Sequence, residues 1–183
     1  RLDEPTSAEL LWRSAEYKHY YPIHGADAGF DPIDHTMIDP CLGGWADIKE
    51  LGQDMDLMAD LIVNHVSSSS SQFLDYSEKG DRSVYKDMFL TMASIFPNGA
   101  TEQDLLTIYR PRPGLPFSYV TLKNNQKRLL WTTFSKQQID INVMHPQGKA
   151  YLQSVMQTLH DNGIRMVRLD AIGYAVKKAG SSC

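Results

Sequence analysis

The chain has 183 residues, 42% of them hydrophobic and 22% charged, with a formal net charge of -4. That is enough apolar material for one domain with a sizeable core and too much for a disordered chain. Acids and bases are interspersed, which points away from nucleic acid and from an acidic membrane surface, and no apolar run approaches the ~20 residues of a membrane span.

In chain order, Arg1 to Pro5 lacks the apolar stretch of a signal peptide and carries no initiator Met. Thr6 or Ser7 is placed to cap a helix running through about Tyr17. Gly25-Ala26-Asp27-Ala28-Gly29-Phe30 reads as a loop. Cys41 and Cys183 make neither a disulfide framework nor a metal-ligand spacing, so a cytoplasmic location is the default expectation. Trp45, Ile48 and Leu51 form a helix face, Gly52 and Asp54 loosen the chain, and Leu57 to Val63 reads as a mostly apolar strand. Five serines, Ser67 to Ser71, read as loop. A helical patch is expected near Val84 to Ala93, then a turn at Pro97-Asn98-Gly99. Arg110-Pro111-Arg112-Pro113-Gly114-Leu115-Pro116 is neither regular helix nor central strand, because its prolines remove donors and fix φ. Leu152, Val155, Met156 and Leu159 give the stripe of an amphipathic helix, closed by Asn162-Gly163. Ile164 to Ala171 follows as a strand. Two helix-then-strand units imply parallel strands covered by helices, in a barrel or an open doubly wound sheet.

The residues with chemistry lie at strand ends. Alternation in the last strand puts Ile164, Met166, Arg168 and Asp170 on one face. Two opposite charges thus finish an apolar strand, where they need partners or a task. A neighbouring Arg favours the carboxylate form of Asp170, as a nucleophile requires. The triplet also reads as a structural ion pair, and taken alone that reading is the commoner one. Asp60-Leu61-Ile62-Val63-Asn64-His65 ends the earlier strand in the same way; a plain turn with an exposed His65 is the alternative. Asp27 beside Phe30 pairs a carboxylate with an aromatic ring, a combination suited to a sugar's hydroxyls and C–H face, or an ordinary loop. No phosphate-binding glycine loop, zinc motif or nucleophile elbow is present.

Taken together, three of these segments resemble the α-amylase superfamily of glycoside-active enzymes. They are Asp60 to His65, Gln138-Ile139-Asp140-Ile141-Asn142, and Gly163 through Arg168-Leu169-Asp170-Ala171. Longer strings are similar to the sucrose phosphorylase family within it: Gly25 to His35, Phe96 to Glu102, Ile108 to Phe117, and Gly173 to Gly180. The resemblance implies an α/β fold, a partial (β/α)8 TIM barrel holding about strands 2–4. It divides the chain into residues 1–66 and 141–183 of the barrel and an inserted B domain at 67–140.

The resemblance further implies that Asp170 attacks the anomeric carbon of glucose and that Arg168 orients its carboxylate. Asp27, Phe30, His65 and Gln138 would line the glucose pocket, with Tyr109 and Arg112 on a loop facing phosphate or fructose. The implied reaction is double displacement with retention, from sucrose and inorganic phosphate to glucose 1-phosphate and fructose. It needs no metal and no organic cofactor, and a homodimer is an expectation for the full-length enzyme. Residues 1–23 are too short for what the family places before Gly25. The family's acid/base glutamate and second aspartate find no counterpart before Cys183, so this stretch alone is expected to be inactive. Alternatives are relatives acting on sucrose 6-phosphate or glucosylglycerate, an α-glucosidase, or a non-catalytic truncated product.

Overall fold

A computed structural model describes residues 20–182 apart from residue 26. The helix expected between Thr6 and Tyr17 lies outside the described residues. In order, the elements are α1 (Trp45–Asp54), β1 (Met58–Ile62), β2 (His65–Ser67), α2 (Ser71–Lys79), α3 (Met92–Ile95), α4 (Glu102–Thr107), β3 (Phe117–Thr121), β4 (Lys127–Trp131), β5 (Gln138–Asp140), α5 (Pro146–Asp161) and β6 (Met166–Asp170). Short 3₁₀ turns follow α2 and β6.

The two strands anticipated from their apolar runs pair with each other. β1 and β6 are parallel, with Asp60 opposite Arg168 and Ile62 opposite Asp170. Between them in sequence come two antiparallel pairs, β2–β5 with His65 opposite Asp140, and the β3–β4 hairpin. Ala59 and Leu61 of β1, and Val63 directly after it, are buried in one core with Phe73, Tyr76, Phe89, Ile139, Val155 and Leu159. Phe89 anchors its aromatic part, edge-on to Phe73 at 5.3 Å and stacked on Tyr76 at 5.6 Å between centroids, geometries preferred by ring quadrupoles.

Local chemistry accounts for where helices begin and end. In α5, Pro146 occupies the first turn and the His145 side chain accepts from the Gln147 N–H. Gly163 then leaves the helix at φ +85, the left-handed exit a glycine tolerates. The buried stripe of α5 is Gly148, Tyr151, Val155 and Leu159, and Met156 is 50% exposed. Val155 and Leu159 of the expected stripe are thus buried and Leu152 packs partly buried on the same core, while Met156 gives way to Tyr151. Its hydroxyl meets Nδ1 of the buried His35 at 2.9 Å.

Two sequence expectations fail here. The serine tract runs directly into a helix, because Ser70 caps α2 by accepting from the Phe73 N–H. Val84 to Ala93 is mostly turn and extended chain, with one helical turn starting only at Met92. Met88, Phe89 and Leu90 are buried in succession, which a helix with one exposed face does not allow. Phe89 and Thr91 instead bridge to Ile141 and Leu130.

A buried ion pair crosses this core. Lys177 Nζ lies 3.0 Å from Asp140 Oδ2, with side chains 3% and 0% exposed. All three ammonium donors are used: on Asp140, on Asn64 Oδ1 at 2.9 Å, and on the Tyr174 carbonyl. Asp140 also accepts from the Thr133 N–H and hydroxyl. Removing one member of such a pair strands the other in low dielectric. Lys177→Met is expected to destabilise the chain by about 3–5 kcal/mol in urea melts. Combining it with Asp140→Asn should recover part of that loss, and a cost below ~1 kcal/mol for the single variant would show the pair to be dispensable.

A second prediction concerns three glycines. A Cβ on Gly148 would sit 2.1 Å from the Asn142 carbonyl oxygen, so Gly148→Ala should cost about 1–3 kcal/mol. Gly163→Ala meets no atom within 4 Å and should cost only its left-handed backbone, about 1–2 kcal/mol. Gly173→Ala, with open space and no positive φ, should fall within ~0.5 kcal/mol of the parent.

Candidate functional site

The site is built where β1, β2, β5 and β6 come together. Val63, directly after β1, donates its N–H to the Asp170 carbonyl at 3.2 Å. Asp170 is the last residue of β6, and Ala171 after it takes a left-handed φ of 55. A non-glycine residue in that region is uncommon and marks a corner held by its surroundings. The corner leaves Asp170 only partly buried, 26% exposed at its side chain.

Arg168 answers two carboxylates. Its Nε and Nη2 each lie 2.6 Å from an oxygen of Asp60, and Nη2 is 3.3 Å from Asp170 Oδ1. The bidentate partner is thus Asp60, its register neighbour, and Asp170 takes the longer contact. Asp60 foremost, and Asp170 less, hold the guanidinium firmly protonated. Asp60 belongs to the strand-end motif, yet its pairing is legible only once the parallel register is known.

A second group surrounds His65. Asn64 turns its oxygen to Lys177, so its amide nitrogen faces His65 Nδ1 at 3.2 Å. The acceptor role of Nδ1 puts the proton on Nε2, which donates to the Phe30 carbonyl at 2.7 Å; this tautomer follows from the network. Burial lowers the His65 pKa, against the opposite pull of Asp140, Asp170 and Asp27, and keeps the ring neutral at pH 7.

Gln138 Nε2 converges on the same carbonyl at 2.8 Å and reaches Asp27 Oδ2 at 3.1 Å. Gln138 Oε1 is buried without a hydrogen-bond partner. Asp27 and Phe30 are joined by a tight turn in which Phe30 N–H donates to the Asp27 carbonyl. Its central residues Ala28 and Gly29 have φ of 49 and 93, a mirror-image turn that suits the glycine and strains the alanine.

The proline-rich loop closes over this group. Arg112 Nη2 contacts both oxygens of Asp27, at 3.1 and 3.3 Å. Tyr109 stacks on Tyr174 at 5.9 Å, Tyr174 meets Phe134 at 5.2 Å, and Phe134 meets His65 at 5.2 Å.

All eight residues singled out in the sequence therefore fall into two adjoining clusters, Asp170–Arg168 and Asp27–Phe30–His65–Gln138–Arg112, with Tyr109 at the rim. Phe30 contributes its backbone carbonyl to the hydrogen bonds while its side chain is half-buried. Phe134 and Lys177 were not singled out as site residues. A lysine seven positions past Asp170, in a string read only for resemblance, gives no local sign of burial. Among the described residues no three His, Cys, Asp or Glu side chains gather as metal ligands, and no helix is long and apolar enough to cross a membrane.

Comparison with known proteins matches residues 20–182 to the family described as alpha amylase, catalytic domain. A sucrose phosphorylase of Agrobacterium vitis is 52% identical over 90% of this chain and 34% of its own. One from Bifidobacterium adolescentis is 51% identical over 90% and 32%. The crystal structure of sucrose 6F-phosphate phosphorylase from Thermoanaerobacter thermosaccharolyticum superposes with a TM-score of 0.85 at 34% identity, covering 96% of this chain and 38% of that one. The chain thus spans about a third of the length of these relatives. With its parallel β1–β6 pair and helical connection, the chain carries part of a (β/α)8 fold and belongs to the α-amylase catalytic-domain family.

Proposed function

We propose that this chain supplies the nucleophile-bearing part of a retaining glucosyl-transfer site that takes glucose from sucrose and delivers it to inorganic phosphate. The observation that carries the reading is Asp170 at a strained strand end, its carboxylate within reach of Arg168 and its register partner Ile62 three residues before His65. Two relatives at half identity, both named sucrose phosphorylases, favour sucrose over sucrose 6-phosphate.

In this reading, a carboxylate oxygen of Asp170 attacks the anomeric carbon as the bond to the fructose oxygen breaks. Phosphate then attacks the glucosyl ester, releases Asp170 as carboxylate and yields α-glucose 1-phosphate with retention. Arg168, anchored on Asp60, holds the carboxylate in place before attack and after release. His65 and Gln138 take the sugar hydroxyls. Asp27 exchanges its Arg112 contact for hydroxyls, a small step because the pair is 54% and 26% exposed and such pairs are worth about 0–1 kcal/mol. Tyr109 and Arg112 then face the acceptor.

A retaining site needs a second carboxyl about 5–5.5 Å from the nucleophile. Asp60 is committed to Arg168, so the acid/base is assigned to further polypeptide packed against β6, where Met166 and Leu169 are 48% and 42% exposed. Residues 67–140, with the two antiparallel pairs, form the inserted domain in this scheme. A cytoplasmic location and a homodimer of the full-length enzyme complete it.

In the full-length enzyme carrying this segment, Asp170→Ala is expected to lower glucose 1-phosphate formation by about 10⁴-fold or more, measured with sucrose and phosphate. Near-normal turnover would remove Asp170 from the role. The 183-residue chain alone should release no glucose 1-phosphate, and phosphate-dependent release by it would overturn the assignment of the acid/base to further polypeptide.

A further inference from the structure

His35 is a fully buried imidazole that the glucosyl chemistry above does not use. Both ring nitrogens are engaged, and their partners fix its proton. The Ile62 N–H lies 3.3 Å from Nε2. A backbone N–H can only donate, so Nε2 is the acceptor. The proton of the neutral ring therefore sits on Nδ1 and points to the Tyr151 hydroxyl, 2.9 Å away. The Tyr21 ring packs edge-on against the imidazole at 4.8 Å between centroids, and the Tyr20 hydroxyl donates to the His35 carbonyl at 2.8 Å.

Nε2 serves the end of β1 that lies beside Asp170. Successive amides of a strand in a parallel ladder point to opposite edges. The Val63 N–H goes to the Asp170 carbonyl, so the Ile62 N–H points the other way, onto the imidazole. Ile62 is the register partner of Asp170 and is fully buried, so water does not replace the acceptor if the imidazole is lost. A buried N–H left without an acceptor is costly, and the strand end would shift to find one. The turn bearing Asp27 and Phe30 has anchors of its own. Ser67 donates its N–H to the Pro32 carbonyl, Ile33 to the Pro22 carbonyl, and His65 and Gln138 donate to the Phe30 carbonyl. Loss of the imidazole is therefore felt at the nucleophile strand before it is felt in sugar binding.

We propose that His35 is a positioning residue for Asp170: its Nε2 supplies the acceptor that a further strand would offer Ile62, and so holds the end of β1 against β6. It acts through the backbone and touches no substrate, and its effect on turnover rests on the role proposed above for Asp170. An attacking atom misplaced by about 1 Å loses on the order of 10²-fold in rate.

The test uses three variants of the full-length enzyme carrying this segment. His35→Phe keeps a ring but removes the acceptor, and should lower kcat at least ~10-fold while KM for sucrose stays within about twofold. His35→Gln places its Oε1 at the reach of Nε2 and should recover kcat to within about threefold of the parent. Tyr151→Phe frees the imidazole to turn and should lower kcat by about threefold or more with the same constant KM; it decides the matter if His35→Phe does not fold. Deuterium exchange at the Ile62 amide should be at least ~10-fold faster in His35→Phe than in the parent and in His35→Gln. An unchanged kcat in His35→Phe, a loss in His35→Gln as large as in His35→Phe, or a loss carried by KM alone overturns the positioning role. A parent enzyme that makes no glucose 1-phosphate while the exchange difference persists overturns the proposed reaction and leaves the His35 anchor standing.

Discussion

The ammonium of Lys177 is the constraint on which the rest of the site depends. It sits among Asp140, Asn64 and the Tyr174 carbonyl, and each contact fixes a different element. Asp140 ends β5, the strand that begins with Gln138. Asn64 precedes His65. Tyr174 closes the turn that follows Asp170. A buried charge is costly to move unless its partners move with it, so these three elements are locked at one point. Asn64 passes the constraint on: with its oxygen taken by Lys177, its nitrogen faces His65 and sets the tautomer that bonds Phe30. A lysine in the core thereby decides a proton position on a histidine in the pocket.

Burial divides the charge pairs of the site in two. Lys177–Asp140 is fully enclosed, whereas Arg112–Asp27, like the Arg168 pairs with Asp60 and Asp170, is partly open. Burial strengthens the cost of breaking a pair more than it strengthens the pair itself. The deep pair therefore holds geometry, while the outer one exchanges readily. Neutral His65 adds a hydrogen-bonding group without adding charge, as the uncharged sugar of the proposed reaction requires.

Much of this was legible in the sequence, for reasons that can be named. β1 and β6 are short apolar runs ending in polar groups, and both form as read. The end of α5 was visible because Asn162-Gly163 is local chemistry, and the proline-rich loop is irregular because proline has no N–H to give. What escaped is non-local. The turn at residues 84–91 looked helical because nothing nearby reveals that Met88, Phe89 and Leu90 are wedged between β4 and β5. The serine tract hid a cap, since the same hydroxyls serve a loop or a helix start. The bidentate partner of Arg168 depends on register, and the burial of Lys177 depends on three separate elements arriving at one place.

The same contrast separates the proposed nucleophile from the proposed acceptor side. Asp170 is bounded by Arg168, by the Val63 N–H on its carbonyl, and by the strained Ala171 corner that Tyr174 and Lys177 hold in place. Its freedom to shift is therefore small, as an attacking atom aligned with one carbon requires. Arg112 is placed by an irregular chain between prolines, braced by Arg110 on Gly114 and by the Tyr109–Tyr174 stack. In the proposed reaction, groups of different size and charge, fructose leaving and phosphate entering, use that side in turn. A rigid wall would fit one of them and exclude the other, whereas a loop held by exposed, exchangeable contacts can serve both while the nucleophile stays fixed.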